Sequence, residues 1–283
     1  MKIALFLLFF SVSLFSAKIE GEIFFRYYVP NGKAKEIFSF LGDFDFKKVL
    51  VEDWEALSEK DSYIVKYFDT SDLKLLKEGF FCALREYNKR DKVVVCDNLL
   101  FKTKIYKKQR DLRDKHPLFS LIKRKERPLF QEELKKIGVD DVLMLKNIFN
   151  LRKLEWRIVI LKDNQIFATL TLQESILKDL PFAKEYFQLF LKREKGEISK
   201  EDQAILQSIS SKIDDSLKSR FSFLKRLNCK NDYQCDFEYF DKHYPFFKLA
   251  VKEPLLYYLL YIFSAALFFA LAAFLIFKII KLR

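Results

Sequence analysis

The sequence predicts an α+β protein: an antiparallel β-barrel with flanking helices, followed by one C-terminal transmembrane helix. Three observations carry this. Short segments of β-forming residues recur through the first two-thirds of the chain, with turn residues between them. The clearest helical periods come later, after residue 178. Finally, Leu255 to Phe277 is apolar and uncharged throughout.

The elements follow in order. Ile19 to Val29 alternates among strong β-formers and stops at Pro30-Asn31-Gly32, so a first strand ends in a turn. Ala34 to Leu41 reads as a short helix. Ser62 to Phe68 and Gly79 to Tyr87 read as strands joined by a helical turn over Ser71 to Lys77. Asp91 to Asp97 and Leu99 to Tyr106 add two more strands. Gln131 to Ile137 has a helical period that stops at Gly138. Leu154 to Lys162 and Gln165 to Leu172 form a hairpin, with Lys162-Asp163-Asn164 as the turn. Asp179 to Arg193 and Ser199 to Leu227 read as the two clearest helices. Ser199 is the N-cap of the second, and Glu201 and Asp202 in its first turn suit the helix dipole. Ile205, Ile209, Ile213 and Leu217 recur every four residues and mark its buried face. Antiparallel strands at this spacing fit a barrel with a polar inner face.

Both ends of the chain speak of a membrane. Lys2 precedes the largely apolar run Ile3 to Phe15, and Ser16-Ala17 closes it, which is the pattern of a secretory signal. Cleavage near Ala17 and retention as an anchor both stay open. Leu255 to Phe277 would span roughly 35 Å as a helix, enough to cross a hydrocarbon core of about 30 Å. Lys278, Lys281 and Arg283 follow it and predict a cytoplasmic C-terminus. Tyr257, Tyr258 and Tyr261 stand at the other interface. The expected organisation is a signal over residues 1–17, a barrel domain over 18–175, a helical extension over 176–252, the span over 255–277 and a basic tail over 278–283. The main domain then lies outside the cytoplasmic membrane.

That compartment permits disulfides. Cys229 and Cys235 are six apart in a turn-like run and are expected to pair. Zinc is not expected, since His116 and His243 are the two histidines of the chain and only His243 lies near. Cys82 and Cys96 lie on consecutive strands. A five-residue turn from Tyr87 to Asp91 sets them opposite one another, and a four-residue turn puts them on opposite faces; a pair of buried free thiols is equally compatible. The net charge of +12 does not point to nucleic acid, because no nucleic-acid motif is present. Anionic lipid or an anionic ligand in a basic cavity is the better partner.

One segment carries a resemblance. Tyr67-Phe68-Asp69-Thr70, a helical turn to Gly79, and a strand bearing Leu84-Arg85 resemble the central signature of the CYTH, or triphosphate tunnel, superfamily. The resemblance implies a tunnel-like barrel, over roughly residues 18 to 175, holding a phosphate chain and a divalent metal, Mg²⁺ or Mn²⁺. Glu20 and Glu22 resemble the two metal-binding acids of the family's opening motif. The family's lysine position is Phe24 here, and Arg26 keeps the same facing two residues on. Arg85 matches the first arginine of the Leu-Arg-x-Arg pattern, while Tyr87 replaces the second. Lys102, Lys104, Arg152 and Arg157 fall where the family supplies further phosphate-contacting bases. Several such cations could neutralise a phosphate chain by charge-assisted hydrogen bonds. The departure is the second acidic strand, where Thr169 and Thr171 stand in place of carboxylates and only Glu155 and Glu174 offer acids nearby.

Three classes of function follow: a membrane-anchored module that binds a triphosphate or polyphosphate with degenerate catalysis, a metal-dependent phosphoanhydride hydrolase, and an envelope scaffold. Residues 102–127 hold eleven Lys/Arg against Asp111, Asp114 and Glu126, either a solvated loop or a contact for lipid or anionic polymer. The topology is directly testable. A reporter fused after Arg283 should be active only in the cytoplasm, and one fused near Lys248 only outside; the reverse pattern would overturn the export reading.

Overall fold

A single antiparallel sheet organises the chain. The computed structural model describes residues 23–50, 53–88, 91–96, 99–102, 115–163, 165–178, 185–193, 199–244 and 247–281. Its strands are β1 (Ile23–Val29), β2 (Trp54–Asp69), β3 (Cys82–Glu86), β4 (Lys92–Cys96), β5 (Leu99–Lys102), β6 (Lys146–Lys162), β7 (Gln165–Leu177), β8 (Tyr186–Arg193) and β9 (Lys225–Arg226). Helices α1 (Ala34–Asp43), α2 (Lys74–Glu78), α3 (Arg127–Lys136) and α4 (Lys200–Arg220) lie between them. In space the strands run β5-β4-β3-β2-β6-β7-β8-β1-β9.

Flat, that order would put β3 and β1 about 24 Å apart at the usual strand spacing. Yet one carboxylate, Asp232, lies 2.6 Å from Arg26 Nη2 on β1 and 3.8 Å from Arg85 Nη2 on β3. The sheet is therefore curled on itself, and the α+β, tunnel-like architecture expected from the sequence is the observed one.

Strand alternation gives the curled sheet two unlike faces. Outward, Phe25, Tyr27, Ile160, Leu170, Leu189 and Leu191 pack under α1 and α4. A second outer core joins Phe68, Leu84 and Val94 to Phe130 and Leu134 of α3. α4 contributes Leu206, Ile209, Ile213 and Leu217 to the first core, each worth roughly 1.5–3 kcal/mol on burial. Ile205, expected on that face, is only partly buried, and Leu206 takes its place. Inward, the same strands carry Arg26, Lys153, Glu155, Thr171, Gln173 and Gln188, all buried.

The Tyr-Phe-Asp-Thr segment is a structural device. Asp69, fully buried, accepts from the backbone N–H groups of Thr70, Leu75 and Leu76 and from the Tyr233 hydroxyl. Burial pushes its carboxyl upward, and those donors pull it back toward the charged form. Its side chain thus supplies the acceptors that the first turn of α2 lacks within the helix. Gly79 ends α2 at φ +71°, a conformation that suits glycine, and a Cβ there would meet the Lys230 side chain at 2.8 Å.

The turn from Tyr87 to Asp91 is the five-residue alternative, because Glu86 pairs with Lys92. Cys82 then lies opposite Cys96, and the two are disulfide-bonded on the outer face. Elsewhere the structure departs from expectation. Residues 186–193, read as helix, form β8 in the interior of the sheet between β7 and β1. Its Phe187, Leu189 and Leu191 face the core while Gln188, Phe190 and Lys192 face inward, so period two wins over the helical spacing of the same apolar residues. The helix read over Ser199 to Leu227 stops at Arg220, and Lys225–Arg226 becomes β9. The sheet thus draws strands from beyond residue 175. Residues 1–17, Glu20, Glu22 and Lys104 lie outside the described residues.

The chain divides into two units, Met1–Cys235 and Asp236–Arg283, with the boundary inside α5 (Asp232–His243). The second unit holds α6 (Phe247–Lys252) and α7 (Pro254–Lys281). Within α7, Leu255–Phe277 has mean hydropathy 2.6 and is long and apolar enough to cross a membrane.

Replacing Asp69 should be costly. Asp69→Ala strands three backbone donors and a buried phenol, so a loss of about 3 kcal/mol or more is expected. By thermal melting, a domain of this size should lose on the order of 6–12 °C. A shift within about 2 °C would refute the capping role.

Candidate functional site

The inner face of the curled sheet encloses a cavity of about 540 Å³. Its walls come from β1, β2, β3, β6, β7 and β8 together with the segment 226–232. Register explains why these residues meet. The pairs Glu59↔Arg157, Arg157↔Thr171, Thr171↔Phe190 and Phe190↔Arg26 run as one row across β2, β6, β7, β8 and β1. Residues directly opposite share a face, so the row is contiguous.

The cationic lining consists of Arg26, Arg85, Arg157, Lys192, Arg226 and Lys230, set against Glu155 and Asp232. Arg26 is only 3% exposed; its guanidinium pairs with Asp232 and lies 5.0 Å from the centre of the Phe190 ring. Arg85 lies 5.6 Å over Tyr63. Arg157 bonds Asp61 at 3.1 Å and comes within 4.0 Å of Glu155. Beneath them Lys153, almost fully buried, donates to Gln173 Oε1 at 2.8 Å. Glu155 Oε1 accepts from the Tyr63 hydroxyl at 2.7 Å and from Gln173 Nε2 at 2.6 Å.

These contacts set protonation. Burial disfavours the charged form of Asp232, but Arg26, then Lys153, Arg85 and Lys192, outweigh it and hold the carboxyl far below the usual range. Burial, and then the Glu155 carboxylate, push the Tyr63 phenol well above its ordinary value, so it stays a donor at neutral pH. The cavity is therefore a cationic pocket whose two acids are engaged.

Of the six bases expected to contact phosphate, Arg26, Arg85 and Arg157 line this one cavity. Arg152 does not; it is an odd number of residues from Arg157 and so lies on the other face, in a row with Ile64, Glu86 and Lys92. Lys102 ends β5, where its backbone pairs with Val93, itself paired with Arg85. Thr169 and Thr171 do line the cavity, whereas Glu174 is not among its walls. The expected pairing of Cys229 with Cys235 is present, with Cα atoms 5.3 Å apart. It closes the loop that carries Asp232.

Sequence reasoning missed Tyr63, Lys192, Arg226, Lys230 and Asp232. A signal existed for the β6 wall, since Lys153, Glu155 and Arg157 alternate at period two. Lys192 was hidden by the helical reading of its segment. Asp232 carried no local signal at all.

No family model and no curated protein matches this sequence. Among solved structures, the chain is similar to a Bacillus halodurans protein named as an adenylate cyclase: 15% identity, TM-score 0.45, covering 78% of this chain and 100% of that one. A Hippeastrum protein described as an adenylyl cyclase with dominant triphosphatase activity gives 11% identity and TM-score 0.41, over 76% and 94% of the two chains. A Vibrio parahaemolyticus protein named as an adenylate cyclase gives 13% and 0.36, over 79% and 99%.

The cysteine pairing has a direct check. Alkylation of unreduced protein, purified from its native compartment, should label none of Cys82, Cys96, Cys229 and Cys235, and reduction should expose all four. Labelling of Cys229 or Cys235 before reduction would remove the closed loop.

Proposed function

We propose that this chain is a membrane-anchored CYTH-like module that binds a triphosphate- or polyphosphate-type anion in the cavity of its sheet, with degenerate catalysis. One observation supports this above the others: six Arg/Lys side chains from four strands and the 226–232 segment converge on a single cavity that holds two carboxylates. Phosphate oxygens suit guanidinium groups presented at several angles, and a linked phosphate chain engages several at once. The resemblance of residues 67–85 to the family signature supports the same ligand class.

Metal is the weaker part of that resemblance. Among the described residues no group of three or more His, Cys, Asp or Glu could hold an ion. Asp232 and Glu155 are committed to arginine, tyrosine and glutamine partners. The described residues therefore do not fit a Mg²⁺ or Mn²⁺ site of their own; the proposal assigns any ion to Glu20 and Glu22, and no hydrolytic step is derived. In this reading the main domain lies on the extracytoplasmic side, Leu255–Phe277 anchors it, and the basic tail meets anionic lipid.

The test is calorimetry on the full chain in lipid nanodiscs, titrated with tripolyphosphate. Binding should be measurable at low salt and weaken steadily as ionic strength rises. Arg85→Ala and Arg157→Ala should each weaken it by about tenfold or more, as expected for a lost charge-assisted bond. No binding at low salt would overturn the reading and leave a scaffold. Robust phosphate release with Mg²⁺ or Mn²⁺, abolished by Glu20→Gln, would replace the degenerate module with an enzyme.

A further inference from the structure

The anion cavity already contains an anion. Asp232 Oδ1 lies 2.6 Å from Arg26 Nη2, and Oδ2 lies 3.8 Å from Arg85 Nη2. One carboxylate thus bridges the two arginines that face each other across the tunnel. The segment bearing it is fastened on several sides. Leu227 N–H donates to Arg26 O at 2.9 Å, and Asn231 Nδ2 donates to Gly79 O at 3.0 Å. Arg26 Nη1 also donates to Cys235 Sγ at 2.9 Å, so the disulfide loop is held by the same arginine that holds Asp232. Just beyond, Tyr233 is fixed by its bond to Asp69.

We infer that Asp232 is an internal competitor: its carboxylate, held by the Cys229–Cys235 loop between Arg26 and Arg85, occupies the place of a ligand's anionic oxygens and is displaced when the ligand binds. This rests on the anion-binding reading above. The electrostatics favour such an exchange over simple pairing. Without a ligand, the carboxylate neutralises cations that would otherwise repel one another in a desolvated cavity. With one, a phosphate chain offers more charged oxygens than the single carboxylate it replaces. Orthophosphate makes nearly a like-for-like exchange. Occupancy by Asp232 therefore lowers the affinity for every anion that needs the place between Arg26 and Arg85, by the same factor: the fraction of time that place is free. The consequence is an affinity set in part by a residue that does not contact the bound ligand.

The experiment compares the full chain and Asp232→Asn in nanodiscs, using tripolyphosphate and orthophosphate as probes at low salt. Asparagine keeps the shape and removes the charge. Asp232→Asn should bind tripolyphosphate about tenfold tighter or better, and orthophosphate should gain by a similar factor. Unchanged or weaker tripolyphosphate binding by Asp232→Asn, with the wild type binding normally, would show a merely structural ion pair and overturn the inference while leaving the anion site intact. Failure of both proteins to bind would instead remove the anion site itself. Should Asp232→Asn fail to fold, Cys229→Ser with Cys235→Ser releases the same loop. That variant should also bind tighter, and unchanged or weaker affinity would count equally against the inference.

Discussion

Arg26 sits inside the curled sheet with only 3% of its surface exposed. A buried guanidinium costs several kcal/mol unless it is paired and hydrogen-bonded. Asp232 supplies that pairing from 206 residues away. The requirement reaches outward from there. It draws segment 226–232 over the mouth of the sheet, gives the Cys229–Cys235 loop something to hold, and brings β3 across to β1 through Arg85. The rest of the inner face is assembled by the same rule. Lys153 has Gln173, Glu155 has Tyr63 and Gln173, and Arg157 has Asp61. A polar interior of this kind is tolerable because most of its members satisfy one another, with Arg26 Nε and Arg157 Nε among the buried exceptions.

What could be read from the sequence was what repeats locally. Strand alternation separates an apolar face from a polar one and predicts an antiparallel sheet; that the polar face is the inner one is what the resemblance of residues 67–85 to the CYTH signature implies. The Asp69 segment announces a strand, a turn and a strand because its hydrogen bonds are almost all to near neighbours. The limits are equally physical. Arg152 and Arg157 look equivalent in composition, yet one step of parity sends them to opposite faces. Tyr186–Arg193 satisfies both a helical and a strand period, and only the open position between β7 and β1 decides for the strand. Asp232 could not be found locally, since its role exists only through contacts across the fold.

Anion binding and catalysis make different demands on the same cavity. Binding needs positive charge in a confined space, and several strands contribute to it. Turnover needs a base with an available lone pair and a protonation equilibrium poised near working pH. Glu155 spends one oxygen on two donors and turns the other toward Arg157. Asp232 is held so firmly in its charged form that it is a poor proton acceptor. Thr169 and Thr171, on the wall where carboxylates would serve, add hydroxyls and no charge. Among the described residues, the cations proposed to attract phosphate are also the groups that engage the cavity's acids. That engagement is the physical basis for proposing a module that holds an anion and does not cleave it.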